Sequence, residues 1–191
     1  MKYIFVSLWA ILLSANASSQ SQDSIKLLAD AAKKAFTWDI QKSDKGTLMF
    51  LDVAYTLEGQ DSTEYLTLTV AKNLADARPE FISVIIPNNI VQSNGIFIAF
   101  ARTVKSPDGN TTMQMVKGNT YRIPFEGCHS ETCTARIMNG YISDDKTNQQ
   151  VDLFQKFLDF DHVLFLFIYA DGSHKSVAIP LFSFKQQYKA L

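Results

Sequence analysis

Apolar and polar positions alternate along most of the chain, and this alternation predicts β-strands. In the segment 64–70, Leu66, Leu68 and Val70 alternate with threonines, which places the apolar side chains on one face of a half-solvated strand. The predicted strands cover residues 36–41, 47–56, 64–70, 81–86, 96–102, 111–117, 121–125, 134–138, 162–170 and 176–185. Such a series predicts a mainly β fold, either a β-sandwich or an open antiparallel barrel.

Turn sequences separate the predicted strands. The cluster 106–110 contains Pro107 and Gly109, which favour a turn because proline presets φ and glycine accepts a positive φ. Gly118 and Asn119 predict a further turn between strands 111–117 and 121–125. The sequence 171–173 carries an Asp-Gly signal and predicts a hairpin between the last two strands.

Helical spacing occurs in two places. Residues 151–159 have apolar side chains three and four positions apart, which predicts one short helix late in the chain. A second, alanine-rich stripe begins near Ser24 and predicts a marginal helix or tether over residues 18–35. We therefore expect residues 36–191 to form a single β-rich domain.

The segment 163–169 is apolar at every position. We expect it to be a central strand covered on both faces. The alternative is a strand whose outer face meets a partner subunit or lipid.

The N-terminus has the features of a secretory signal peptide. Lys2 gives a short positive region, an apolar stretch follows at 3–13, and residues 15–17 read Ala-Asn-Ala. We expect cleavage after Ala17 and export of the mature chain. The apolar stretch is shorter than the roughly 20 residues that span a bilayer, so we expect no transmembrane span in the mature chain.

The charge balance disfavours one class of partner. The chain has 18 basic and 19 acidic residues and a formal net charge of −1, and loss of Lys2 makes it one unit more negative. General nucleic-acid binders carry a basic patch or stripe. We therefore expect no nucleic-acid partner.

Cys128 and Cys133 are the only cysteines, in a C-x4-C spacing. Two cysteines in an exported chain usually pair, so we predict a disulfide between them. The turn pattern around them predicts a hairpin in which strand 121–125 pairs with strand 134–138. A zinc site would need two further ligands, and His129, His162 and His174 show no paired ligand spacing. Thiol–disulfide catalysis usually uses C-x-x-C. We expect neither a metal nor a cofactor.

No catalytic motif is present in the sequence. It contains no G-x-S-x-G, S-x-x-K, H-E-x-x-H or glycine-rich phosphate loop. Asp159, Asp161 and His162 are close in sequence, and we interpret them as a polar turn. A secreted hydrolase or redox enzyme is the alternative, if these three converge in a cleft with His129. A lipid or small-ligand carrier is another, with the phenylalanine-rich terminal hairpin as a cavity wall.

Short motifs from residue 81 to the C-terminus, together with an early tryptophan segment, resemble the invasion-associated locus B family of bacterial envelope proteins. The segments that carry the resemblance are Phe36-Thr37-Trp38-Asp39-Ile40, Ile85-Ile86-Pro87, Gly95-Ile96-Phe97-Ile98, Arg122-Ile123-Pro124-Phe125-Glu126-Gly127-Cys128, Cys133-Thr134-Ala135 and Ile179-Pro180-Leu181-Phe182-Ser183-Phe184. Two features depart from the family. Its earlier cysteine pair is missing, with Gln41 near the first position, and its closing glycine is absent after Ser183. The chain thus resembles a divergent member.

The resemblance implies an exported, non-catalytic, β-rich protein, periplasmic or associated with the envelope. The family is associated with entry into host cells, which implies an envelope or host-surface protein as a partner. It supplies no catalytic residues to carry over.

Overall fold

The computed structural model describes residues 34–57, 63–75, 78–144 and 146–189. The predicted signal peptide at 1–17 and most of the predicted helix or tether at 18–35 lie outside these residues. Within them the chain is mainly β. The strands are β1 (Asp39–Lys42), β2 (Gly46–Thr56), β3 (Thr63–Asn73), β4 (Pro79–Pro87), β5 (Ile96–Lys105), β6 (Thr111–Ile123), β7 (Gly127–His129), β8 (Thr132–Met138), β9 (Tyr141–Asp144), β10 (Gln149–Asp152), β11 (His162–Ile168) and β12 (His174–Pro180). The helices are α1 (Leu153–Asp159) and α2 (Phe182–Lys189).

Two antiparallel sheets make up the body of the fold. The first has the strand order β1-β2-β3-β4-β8-β7, and the second has the order β12-β11-β5-β6. A separate two-stranded ribbon joins β9 to β10. The arrangement is sandwich-like, which confirms the predicted fold class.

The core lies between the sheets and under the two helices. Alternate residues of the central strands are buried, as the period of two in the sequence predicts. The largest fully buried side chains include Trp38, Phe100, Phe157, Phe165, Phe167 and Phe184. Burial of each such aromatic side chain contributes roughly 1.5–3 kcal/mol relative to exposure.

Helix α2, near the C-terminus, packs on and hydrogen-bonds to Trp38, near the start of the described chain. The rings of Trp38 and Phe184 have centroids 5.1 Å apart. The Gln187 amide accepts from the Trp38 backbone N–H at 3.0 Å and donates to its carbonyl at 2.8 Å. The early tryptophan is thus a core residue held by a helix from the other end of the sequence.

The predicted last strand, 176–185, is wrong in its second half. β12 ends at Pro180, which has no N–H to donate to the ladder, and α2 follows. Leu181, Phe184 and Tyr188 are buried at helical spacing. The same apolar run fits a strand or a helix, so α2 stands where the sequence predicted the end of a strand.

The predicted turn at Gly118-Asn119 is also wrong. β6 is one 13-residue strand, and the pairing with β5 shifts between Ala99 and Ala101. Gly118, with φ of +80°, lies in the resulting bulge. A positive φ in glycine serves a bulge as well as a turn, so sequence did not separate the two.

The helix predicted at 151–159 is confirmed from Leu153 onward, and the sequence analysis missed the β9–β10 ribbon that precedes it. Asp152 ends β10 and caps α1 by accepting from the Gln155 backbone N–H at 3.0 Å. Such an aspartate cap stabilises a helix by about 1 kcal/mol.

The predicted central position of the 163–169 segment is confirmed. β11 pairs with β12 on one side and with β5 on the other. The prediction that both faces of this strand are buried is wrong. Phe165 is fully buried, whereas Leu166 on the opposite face is exposed.

Candidate interaction surface

The disulfide hairpin consists of β7 and β8. Cys128 and Cys133 are directly opposite in the register, with Cα atoms 4.0 Å apart and sulfur atoms at bonding distance. Ser130, at φ of +47°, forms the tight turn between them. The geometry is therefore compatible with the predicted disulfide.

The predicted strand pairing around the cysteines is wrong. Residues 121–125 were predicted to pair with 134–138, but residues up to Ile123 belong to β6 in the second sheet. The chain crosses between the sheets after Pro124, and β7 pairs with β8 instead. The hairpin closes the edge of the first sheet. Its turn is held by Asn88, the residue that follows β4, whose backbone N–H donates to the Glu131 carbonyl at 3.0 Å.

A second hairpin projects from the second sheet. β11 pairs with β5 only as far as Ala101, so beyond this residue β5 has β6 as its strand partner. We name residues 102–117 the arm. Its tip is the predicted turn 106–110, which is confirmed: the Gly109 backbone N–H donates to the Ser106 carbonyl at 2.9 Å.

Two side chains at the tip order this turn. The hydroxyl of Ser106 donates to the Asp108 carboxylate, and the Asn110 amide donates to it at 2.6 Å. These hydrogen bonds lower the pKa of the Asp108 carboxyl below its usual value. The tip is therefore a defined turn in an exposed part of the molecule.

One face of the arm presents two methionines. Met113 is 37% exposed and Met115 is 47% exposed. They pair with Thr103 and Ala101 of β5 and point to the same face, since they are two residues apart in one strand. Exposed methionine is a flexible, polarizable surface suited to contact with another protein.

The outer edge of β6 has no paired strand among the described residues. The stretch 111–115 is regular, because its residues pair without interruption with residues 101–105 of β5. After Met115 the bulge begins, and Val116 packs against the core. The Lys156 ammonium donates to the Asn119 side chain at 2.7 Å and so holds the bulge against α1.

The other sheet edges are short or protected. β1 has four residues and contains two charged ones, and β7 has three and lies in the disulfide hairpin. β12 carries Lys175 and ends at Pro180. Lysine, proline and short length are the usual devices against edge pairing. None of them operates along 111–115, an uncharged stretch on an edge that has no paired strand in the described part of the chain.

A groove of about 340 Å³ lies beside the far end of β6. Arg122 and Arg136 line it, together with Tyr141 of β9. Both arginines have protein partners: Arg122 donates to the Asn94 carbonyl at 2.8 Å, and Arg136 lies 3.5 Å from Glu126. The cationic groups of the groove are thus engaged in holding loops.

Asp161 directly precedes β11, which begins at His162. The backbone of Asp161 hydrogen-bonds to Ala101 and Leu181, and its carboxylate has further partners. One carboxylate oxygen accepts from the Thr103 backbone N–H at 2.9 Å, and the other lies 3.8 Å from Lys185. Burial lowers the pKa of the His162 imidazole, Asp161 opposes this shift and Lys185 adds to it.

The remaining residues of the predicted polar cluster have other positions. Asp159 accepts from Gln155 at 2.8 Å within α1. His129 lies in the disulfide hairpin of the other sheet. Their contacts support the interpretation of 159–162 as a structural turn.

The phenylalanine-rich terminal hairpin packs into the core. Phe165 and Phe167 are fully buried, and Phe167 packs edge to face on Tyr55 with centroids 5.7 Å apart. These rings therefore form part of the core and do not line the groove beside β6.

A buried polar cluster joins the two sheets at one end. Tyr55 and Tyr169 both donate to one carboxylate oxygen of Glu64, at 3.1 and 2.6 Å. Burial is the main cause that raises the pKa of both hydroxyls, and their interactions with Glu64 raise both further. The hydrogen bond with Tyr55 offsets part of the rise in pKa at Tyr169. No local sequence pattern indicates the cluster, because Glu64 and Tyr169 are 105 residues apart. It links β2 and β3 to the chain just after β11.

Comparisons with known proteins add no family assignment. No family model and no curated protein matches the chain. In the described part of the chain no group of three or more His, Cys, Asp or Glu side chains could hold a metal ion. No helix of that part is both long and apolar enough to cross a membrane.

No sequence motif distinguishes Met113 or Met115 from other strand residues. The alternation in 111–117 predicts a strand, and that prediction is confirmed. Alternation reports that a strand has two different faces, but it does not report whether the strand lies at an edge. The signal available was an alternating strand with uncharged residues from 111 to 116, directly after a strong turn sequence.

Proposed function

We propose that this chain is an exported, non-catalytic protein-interaction module of a bacterial envelope, and that the arm is its contact element. The observation that carries the proposal is the projecting hairpin with exposed Met113 and Met115 beside an unprotected strand edge. Native proteins usually protect such edges. An unprotected one on a solvent-exposed arm is well suited to binding another protein.

The export part of the proposal rests on two features. Residues 1–17 have the features of a signal peptide. Cys128 and Cys133 lie at disulfide distance, and structural disulfides are typical of oxidising compartments. N-terminal sequencing of the exported protein is expected to begin at Ser18, and an intact Met1 would contradict export by cleavage.

The envelope location, and a role in host-cell invasion or adhesion, rest on the resemblance to invasion-associated locus B proteins. The cysteine unit that carries much of this resemblance is the disulfide hairpin. An envelope or host-surface protein is accordingly the class of partner that we propose.

Site-specific photo-cross-linking tests the contact element. A photoreactive phenylalanine analogue is placed at Met115 in cells that export the protein, and adducts are identified by mass spectrometry. The control position is Tyr65 on β3 of the other sheet. Its side chain is about as exposed as that of Met115, and it accepts an aromatic analogue without a change of residue class. We expect a defined adduct from position 115 and none from position 65. No adduct from either, or equal adducts from both, would refute the arm as the contact element.

A further inference from the structure

We infer that the free edge of β6 pairs with the same edge of a second copy of this chain, antiparallel, about a two-fold axis at Met113. This inference rests on the proposed function, since it takes the arm as the contact element and names its partner. The geometry of the arm and the residues along its edge support the pairing.

The arm is an incomplete sheet. Over 102–105 and 111–115 it consists of two strands, with no third strand on either side among the described residues. An isolated two-stranded hairpin is marginally stable in water, and three or more strands are needed for independent stability. Two arms joined along β6 would make a four-stranded sheet.

The edge sequence is complementary to itself. Pairing about Met113 places Met113 opposite its own copy, Thr112 opposite Gln114 and Thr111 opposite Met115 of the second copy. All five residues are uncharged, so no like charges face each other. Directly opposite side chains in antiparallel strands lie on one face and interact.

The methionines would form one continuous row. Met113 and Met115 of both copies lie on the same face, because all four have odd numbers in strands related by this axis. In each chain they are exposed, and pairing brings four polarizable thioethers together. Thr112 and Gln114 line the opposite face, where an amide and a hydroxyl can hydrogen-bond.

The bulge sets the register and the extent of pairing. Regular pairing with β5 ends at Met115, and beyond it the strand turns toward the core at Val116. Met113 is the middle of the regular stretch 111–115. A contact of this length is small beside a standard interface of roughly 1,600 Å². We therefore expect a dimer that forms as the protein concentration rises.

A cysteine placed on the axis tests the register. Met113→Cys in the mature, exported protein is expected to form a 113–113 disulfide between copies on mild oxidation, identified by peptide mapping without reduction. Thr111→Cys is the matched control, on the same strand and face. Its two copies would lie about 14 Å apart at roughly 3.4 Å per residue, too far for a disulfide. Equal cross-linking of both variants, or none of Met113→Cys, would overturn the inference.

Charge exchange provides a second test without cysteine. Met113→Glu and Met113→Lys each place like charges opposite one another on the axis, and each is expected to stay monomeric by analytical ultracentrifugation where the unmodified protein dimerises. A mixture of the two is expected to regain the dimer. Dimers of either variant alone, or no dimer in the mixture, would contradict pairing at this edge.

The two tests also separate this inference from the proposed function. If Met115 cross-links only to a different protein and the purified chain stays monomeric, the arm is a contact element but the self-pairing is wrong. If residues 18–33 of the same mature chain cover the edge, Met113→Cys gives no intermolecular disulfide and position 115 cross-links within the chain. If position 115 yields no adduct and the chain stays monomeric, both proposals fail.

Discussion

The two sheets end in edge hairpins of opposite character. In the first sheet the edge strand β7 has three residues. Its Cys128 lies at disulfide distance from Cys133 of β8, which is buried. In the second sheet the edge strand β6 has 13 residues, and its arm is exposed and unprotected. The disulfide hairpin belongs to the packed body, whereas the arm stands outside it. From this difference we expect stability to depend on the body and association to depend on the arm.

The largest expected effect is in the body. Phe165→Asp would bury an unpaired carboxylate between the sheets and is expected to lower the free energy of unfolding by more than about 4 kcal/mol, measured by denaturant titration. Leu166→Asp is the control, because the neighbouring side chain points to the exposed face. We expect a much smaller loss there. Equal losses would show that the two faces of β11 are equivalently buried.

The cysteine pair comes next. Replacement of both Cys128 and Cys133 by alanine is expected to lower the free energy of unfolding by about 2 kcal/mol, the chain-entropy value for a loop this short. Reductant should destabilise the unmodified protein similarly and leave the double variant unchanged. Intact mass without reduction should be two hydrogens lighter than the dithiol. Free thiols in the exported protein would contradict the predicted bond.

Removing one hydroxyl from the polar cluster of Tyr55, Glu64 and Tyr169 is expected to have a smaller effect on the free energy of unfolding. Tyr169→Phe removes the hydroxyl that donates to Glu64 at 2.6 Å and leaves the carboxylate with fewer donors. We expect a loss of about 1–3 kcal/mol in the free energy of unfolding, as for a hydrogen bond to a charged group. Tyr65→Phe, at an exposed tyrosine of β3, is the control and should be neutral. A neutral Tyr169→Phe would mean that solvent replaces the hydroxyl.

The smallest effect on stability is expected in the arm. Met115→Ser should change the free energy of unfolding by less than about 0.5 kcal/mol, because the side chain is exposed. The same change at buried Met49 should cost at least about 2 kcal/mol. Met115→Ser is nevertheless expected to weaken the concentration-dependent dimer, measured by analytical ultracentrifugation. A large loss of stability at Met115 would mean that the arm belongs to the body.

The sequence predicted strands and turns correctly where the pattern that specifies them lies within a few consecutive residues. Alternation at 64–70 predicted β3, and the Pro-Asp-Gly sequence predicted the tip of the arm, because both depend on residues a few positions apart. Local signals failed where two structures share one pattern. The run around Leu181 and Phe184 fits a strand and a helix alike, and packing on Trp38 selected the helix.

The candidate surface shows the same limit. The sequence predicted the strand 111–117 but not its exposure, because a strand's place in a sheet depends on where the other strands end. β11 stops pairing with β5 at Ala101, and this long-range register creates the arm. The cluster of Tyr55, Glu64 and Tyr169 likewise depends on two sheets meeting.

By itself, the sequence determined the fold class, most strand positions, the tip of the arm and the cysteines able to pair, because periodicity, turn chemistry and cysteine spacing act within a few residues. The tertiary structure alone decided which strands became edges, which face of β11 was covered, and that Met113 and Met115 stood in solvent. Those outcomes follow from sheet order and from packing between distant segments. Burial and edge exposure are properties of the assembled layers, and no single strand contains them.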